Sequence, residues 1–292
     1  MFNLFRAEWK KVVKNYKLTT FLVWIYPVGM AAFLAILLIV QLSAKSSAQG
    51  TVAPSSGQWT ADMLVTWNIV SSFPANIFGR MLPLAFMAVV FAGEYQWGTC
   101  KNLVPRNRRV ALILTKLAAL TVIVMTALVS TSVIVGLGQS LGHKMAGLAY
   151  GPALTGEVLA DFARDYTREA LLGMISLLIL AAFAGSAALL TRSILGGLLF
   201  GFGFSILEPS ELWLVLGILL SKPEIVNLYR FTPTYNLNNV RSWLVDHSAL
   251  AAVPPGFIAQ PTLAFSLGIL ALWLLGLTAL AAFVFQKQDI TS

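Results

Sequence analysis

The chain has 292 residues, of which 58% are hydrophobic and only 11% charged, whereas soluble domains are about 25% charged. This composition excludes a water-soluble globular protein and predicts an all-α integral membrane protein with one transmembrane domain, 1–292. The net charge of +8 does not indicate nucleic acid, because the basic residues flank apolar segments and form no separate basic face. Membrane lipids are the expected counter-charge.

The amino-terminal residues 2–17 predict an amphipathic helix. Basic side chains fill one side of this helix. The apolar residues that recur at helical spacing on the other side are Phe5, Trp9, Val12, Val13 and Tyr16. Such a helix can lie at the membrane interface, with its apolar face at the acyl boundary and its lysines at anionic head groups. The simpler alternative is a basic flank that only orients the first span.

Six spans are predicted, because a helix needs about 20 apolar residues to cross a hydrocarbon core about 30 Å thick. Residues 43–58 between the first two spans indicate a solvated loop. Arg80 is expected to snorkel from the outer end of the second span, and Pro83 to kink that span. The predicted spans cover approximately residues 19–42, 74–92, 110–138, 170–191, 193–207 and 262–285.

Two interpretations compete for residues 193–221. The apolar run 193–207 is too short to cross the core, and Glu208 and Glu211 interrupt it. It is either one span broken at Glu208, or a short fifth span followed by a re-entrant segment. We favour the second, because irregular backbone at membrane depth needs protein or water around it. Both interpretations leave six crossings.

Two smaller patterns predict local structure. Gly197 and Gly201 form a GxxxG pair, which indicates close helix packing within the subunit or, alternatively, a dimer seam. Residues 157–169 carry acidic and basic side chains three and four positions apart, which predicts a solvated helix leading into the fourth span. The alternative is a substrate role for the carboxylates of this segment.

The charge distribution predicts that both termini are cytoplasmic. With six crossings, the segments on the side of the termini hold twelve of the 20 basic residues but only three of the 12 acidic residues. Many of these basic residues lie in short flanks beside the spans, where the positive-inside rule applies.

No catalytic, cofactor-binding or metal site is predicted. The chain has no GxxxxGK[ST] phosphate loop, so we do not expect it to bind or hydrolyse ATP itself. Its two histidines, His143 and His247, lack the HExxH spacing of a zinc protease and are expected at the surface.

The most informative segment is 91–120, FAGEYQWGTCKNLVPRNRRVALILTKLAAL. A span ends at an acid, Glu94, and a charged segment with Pro105 leads to a new span that has Lys116 one turn inside. Such a short, stiff connector suits docking of a cytoplasmic partner, because it can transmit a push to two spans. The alternative is a topological anchor without a partner.

This connector resembles the signature of the permease subunits of ABC-2 type transporters, in which a second span runs into E…GT…LL…P…SR and a third span begins with a lysine. Asn107 departs from the pattern, since many relatives carry Ser there. The layout of the whole chain is similar to that family, and most similar to exporters of peptides or drugs and to bacteriocin-immunity permeases. The matching positions are Glu94, Gly98, Thr99, Lys101, Asn102, Leu103, Pro105, Arg108 and Lys116.

The resemblance implies a permease in the bacterial plasma membrane that pairs with a second permease subunit, identical or different. Cytoplasmic ATP-binding cassette subunits, encoded separately, would bind ATP and Mg²⁺. The mostly uncharged spans favour an amphiphilic cargo. The alternative is a non-transporting scaffold or accessory subunit of a membrane complex. The residues expected to dock the ATPase are Glu94, Gly98, Thr99, Lys101, Asn102, Pro105 and Arg108.

Overall fold

The computed structural model describes residues 2–45, 57–71, 77–96, 109–208, 210–251 and 261–287. A π-helical turn, Thr20–Trp24, joins the second and third helices, and a 3₁₀ helix, Pro223–Phe231, precedes the eleventh. The helices are α1 Phe2–Lys14, α2 Tyr16–Thr19, α3 Ile25–Lys45, α4 Trp59–Val65, α5 Asn68–Ser71, α6 Ile77–Gln96, α7 Arg109–Ala146, α8 Gly156–Thr191, α9 Ile194–Leu207, α10 Ser210–Leu219, α11 Pro233–Val245 and α12 Leu263–Lys287.

Two very short strands are the remaining regular elements of the described ranges. Strand β1, Gly57–Gln58, pairs in parallel with β2, Tyr150–Gly151, so that Gly57 lies opposite Tyr150. The pairing places β1 beside the turn between α7 and α8, and it falls at the end of the segment that the sequence indicates as a solvated loop.

Apart from this short strand pair, the described residues have the fold of an all-α membrane protein. Four helical stretches are long and apolar enough to cross a membrane, and α9 with α10 makes a fifth if the bent pair is one span. These stretches confirm the first, third, fourth and sixth predicted spans as helices of sufficient length. The four stretches are Lys17–Ser43, Val110–Ala146, Gly156–Thr191 and Leu263–Lys287.

The second and fifth predicted spans are helical but shorter. In α6 the apolar stretch is Gly79–Gly93, which is less than the roughly 20 residues of a full crossing. Pro83 lies inside this helix without ending it. The α9–α10 pair fits a broken span and a re-entrant loop equally, so both interpretations of 193–221 stay open and six crossings remain a prediction.

The centre of the bundle is formed by α7 and α8, and its periphery by α3 and α12. In the most apolar 18-residue stretch of α7, and likewise of α8, 67% of the residues are buried inside the protein. The corresponding value is 17% for the first span and 11% for the last. Helices that bury so little against their own chain leave an apolar surface suited to lipid or to another subunit.

The glycine pair of α9 packs inside the chain. A Cβ on Gly197 would lie 2.8 Å from the Cβ of Ala188 and 3.2 Å from the carbonyl oxygen of Ala184, and a Cβ on Gly201 would lie 2.8 Å from Leu84. The absence of side chains therefore lets α9 approach α6 and α8 closely. Of the two alternatives for the GxxxG pair, the structure thus has close packing within the subunit and not a dimer seam at these two glycines.

The predicted solvated helix before the fourth span is confirmed. It is continuous with the span, since α8 runs from Gly156 to Thr191, and the side chain of Thr155 caps it by accepting a hydrogen bond from the Val158 amide. Ion pairs link Arg164 to Asp161, and Arg168 to Asp165, each three positions apart.

Candidate functional site

A buried ion pair joins the amino-terminal helix to the first turns of α7. The Lys116 ammonium lies 3.2 Å from a Glu8 carboxylate oxygen, and the two side chains are 5% and 4% exposed. Unpaired charges are costly away from water, so the partners hold each other in place. Lys116 belongs to the sequence signature described above, whereas Glu8 is a residue that the pattern of α1 did not single out.

The face of α1 that packs on the bundle explains why Glu8 is buried. Glu8 lies four positions after Leu4 and four before Val12, which is buried, and residues at this spacing share one face of a helix. Val13, predicted to lie on the apolar face, is 47% exposed. The helix itself is confirmed, while its position at a membrane interface remains a prediction.

The junction between α1 and the first span is fixed by a hydrogen bond that crosses it. The Thr19 hydroxyl donates to the carbonyl oxygen of Val12 at 2.7 Å. Beside this junction is a cavity of about 360 Å³ lined by Trp9, Thr20 and Thr126, among others. The π-helical turn begins at Thr20, before Pro27, which has no N–H to donate to the preceding turn.

The connector that the sequence predicts to dock an ATPase falls largely outside the described residues. The backbone of Glu94 belongs to the last turn of α6, and α7 begins at Arg109. Lys116 is seven positions after Arg109, or about 10 Å along the helix axis. The Glu8–Lys116 pair therefore attaches α1 close to the point where the connector enters α7. The predicted docking positions that lie outside the described residues are Gly98, Thr99, Lys101, Asn102, Pro105 and Arg108.

A second buried charge cluster joins α6, α8 and the end of α9. The Arg80 guanidinium is ion-paired with Glu208 and donates a hydrogen bond to the Ser176 hydroxyl at 3.1 Å. Arg80 is 3% exposed, so the prediction that it snorkels to the membrane surface is wrong. It faces the interior of the bundle because Glu208, at the break between α9 and α10, supplies a counter-charge there.

This cluster extends toward the 3₁₀ helix. Burial, followed by the nearby Glu211 and Glu208 carboxylates, raises the pKa of Tyr229 above its ordinary value. The shift favours the protonated phenol, which can donate a hydrogen bond. Ionisable groups inside a membrane domain commonly mark a functional region, and this one surrounds the α9–α10 break.

The carboxyl end of α7 carries a third set of polar contacts, beside β2. The Tyr150 hydroxyl donates to Asp62 at 3.0 Å, and burial together with this carboxylate raises the pKa of Tyr150 above its ordinary value. Of the two histidines predicted at the surface, His247 is exposed and His143 is half-buried, with Nδ1 2.9 Å from the carbonyl oxygen of Gln139. These contacts hold the α7–α8 turn in place.

A guanidinium–carboxylate pair links α8 to α11. Arg241 donates to both Glu169 oxygens, with the shortest distance 2.7 Å, and also to the side chain of Asn238 at 2.9 Å.

In the part of the chain that the structure describes, no three His, Cys, Asp or Glu side chains stand together in a group that could hold a metal ion. No family model and no curated protein matches the chain.

Proposed function

We propose that the chain is the membrane-spanning permease subunit of an ATP-driven ABC-2 type exporter in the bacterial plasma membrane. It works with a second permease subunit and with separate cytoplasmic ATPase subunits, and it moves an amphiphilic substrate across or out of the membrane. The resemblance of residues 94–116 to the permease signature supports this proposal.

The observation that carries the proposal is the buried Glu8–Lys116 pair. It connects an amphipathic amino-terminal helix to the lysine that follows the connector. A force applied by an ATPase to either α1 or the connector would therefore reach the same turn of α7. A simple topological anchor would not need this connection, because lysines alone can set the orientation of a span.

The proposed cycle uses this connection to move the central helices. ATP-driven closure of the partner subunits presses on the connector and on α1, and α7 moves with them because Lys116 is held by Glu8. The bundle then changes between inward-open and outward-open states. In this scheme both termini and the connector are cytoplasmic, as the distribution of lysines and arginines favours.

The rival function is that of a non-transporting scaffold or accessory subunit. It accounts equally well for the apolar helices, but it leaves the connector signature without a role. The gene next to this one distinguishes the two functions, because an adjacent gene for an ATPase with a phosphate loop favours the transporter.

The proposal is tested by purifying the tagged chain from its native host with its associated proteins and measuring ATP hydrolysis and transport in lipid. We expect an ATPase with a phosphate loop to co-purify. The Glu94→Gln variant should insert normally and retain ATP hydrolysis, but transport per ATP should fall about tenfold or more, because Glu94 begins the stiff connector.

The matched control is Glu157→Gln, which removes an exposed carboxylate from the first turn of α8, on the side predicted to face away from the ATPase. Its transport per ATP should equal that of the unmodified chain. Coupled transport that is unchanged in Glu94→Gln, or purification without any ATPase, would contradict the proposal.

A further inference from the structure

A crevice of about 840 Å³ separates the first half of α8 from α11, a volume typical of small-molecule sites. Its apolar walls include Leu171, Leu172 and Ile175 from α8, and Val240 and Leu244 from α11. Its polar rim includes Arg164, Asp165, Arg168 and His247. The crevice thus has one polar end and one apolar end.

The polar end of the crevice lies near the start of α8, and the apolar end lies further along the helix, within its uncharged part. A membrane amphiphile has the same arrangement of head group and chain. Arg164 and Arg168 lie in the charged first turns of α8, and the uncharged part of the helix begins after Glu169. Ile175 is seven positions beyond Arg168, or about 10 Å deeper along the helix. If the head group of a ligand binds the arginines, its acyl chain therefore lies along the apolar walls.

Arg168 has a donor that no described residue satisfies. Its guanidinium forms an ion pair with Asp165 and donates to the carbonyl oxygen of Leu244 at 3.3 Å. Its Nε atom is buried and has no hydrogen-bond partner among the described residues. Nε is closed off from solvent, but the Arg168 side chain is 17% exposed, so an anionic oxygen in the crevice can accept from the terminal N–H groups of the guanidinium.

We propose that this crevice binds an amphiphile with a phosphate or carboxylate head group and an acyl chain. The head group lies against Arg168, and the chain lies between Leu171 and Leu244. The ligand is either an anionic phospholipid of the bilayer or a single-chain amphiphilic cargo. Its role as cargo rests on the proposed transport function, whereas its binding does not.

The test uses the purified full-length chain in phosphatidylcholine nanodiscs with a fatty acid that carries a photoreactive diazirine on its chain. We expect crosslinks within residues 164–175 and 240–247. A monoacylglycerol with the same diazirine chain but no charge should crosslink there much less, because it offers no anionic oxygen to Arg168.

Two variants separate the head-group contact from the chain contact. Arg168→Gln should weaken binding of the fatty acid about tenfold, the loss expected for one charge-assisted hydrogen bond. Leu171→Trp should block labelling by filling the apolar end of a crevice in which Leu171 is otherwise 51% exposed. The control, Arg192→Gln, changes an arginine at the opposite end of α8 and should bind like the unmodified chain.

Addition of phosphatidylglycerol to the nanodiscs identifies the source of the ligand. Competition supports a resident phospholipid, and persistent labelling supports a single-chain cargo. Equal labelling by the charged and neutral probes, or labelling unchanged in both Arg168→Gln and Leu171→Trp, would overturn the site. Because the assay contains no ATPase, failure of ATP coupling with intact labelling would refute the transport proposal alone.

Discussion

At the scale of single residues, four charged side chains are buried in the helical bundle as two ion pairs, Glu8–Lys116 and Arg80–Glu208. None of the four is more than 5% exposed. A buried pair adds little net stability, because desolvation offsets the attraction, but removing one partner leaves an uncompensated charge. We therefore attribute to these pairs the positions of α1 and of the α9–α10 break.

The first residue-scale prediction concerns Glu8→Gln, which leaves Lys116 charged and buried. We expect a loss of about 3–5 kcal/mol in unfolding free energy, measured by thermal or denaturant unfolding in detergent. The double variant Glu8→Gln/Lys116→Met should recover most of that loss, because it removes both charges. Additive losses in the double variant would show that the two residues do not interact.

A second residue-scale prediction concerns Gly197, which faces Ala188 and Ala88 at distances of 2.8 and 3.1 Å from a hypothetical Cβ. Gly197→Val should lower stability by about 1–3 kcal/mol, because it overpacks a tight helix contact. Gly203→Ala is the control, since nothing lies within 4 Å of its hypothetical Cβ. Equal stability of the two variants would contradict the packing described for α9.

Much of the chain's helical structure followed from hydropathy, but the partners of the buried charges did not. Glu8 and Lys116 are 108 positions apart, and Arg80 and Glu208 are 128 apart, and periodicity holds no information on contacts at such separations. One clue was available for Glu8, because it lies on the Leu4–Val12 stripe. Arg80 offered no comparable signal, and the snorkelling expected for it assumed an outward-facing side chain.

At the scale of elements, the helix ends differ most from the predicted boundaries. The third span was predicted over 110–138, yet α7 continues to Ala146, because His143 and Lys144 can lie at the carboxyl end of a helix without breaking it. Hydropathy detects where the apolar residues of a helix end. It does not detect where the backbone hydrogen bonds of that helix end. The small α4, α5 and α11 went unpredicted for the same reason, since they are not spans.

The element-scale prediction concerns the break between α9 and α10. Glu208→Gln should remove the carboxylate that pairs with Arg80 and loosen this break, so that amide hydrogen exchange in Ser210–Leu219 becomes faster. Arg241→Gln, which breaks the separate contact between α8 and α11, should leave hydrogen exchange in Ser210–Leu219 unchanged. Unchanged exchange in Glu208→Gln would show that the pair does not hold the break.

At the scale of the whole molecule, a central helical bundle is joined to a strongly basic side, which we propose faces the cytoplasm. The bundle centres on α7 and α8, while the largely unburied α3 and α12 suit lipid or another subunit. Basic residues concentrate in α1, the connector and the 192 turn, all assigned to one side of the membrane. If that side is not the cytoplasm, no soluble ATPase can reach the connector.

Labelling of the single cysteine, Cys100, tests this claim most directly, because it lies within the connector. A membrane-impermeant maleimide should not modify it in intact cells but should modify it in inside-out vesicles. Ala153→Cys in a Cys100→Ser background is the control and should show the opposite pattern, since it lies in the exposed α7–α8 turn. Modification of Cys100 from outside intact cells would invert the topology and contradict the proposed coupling to an ATPase.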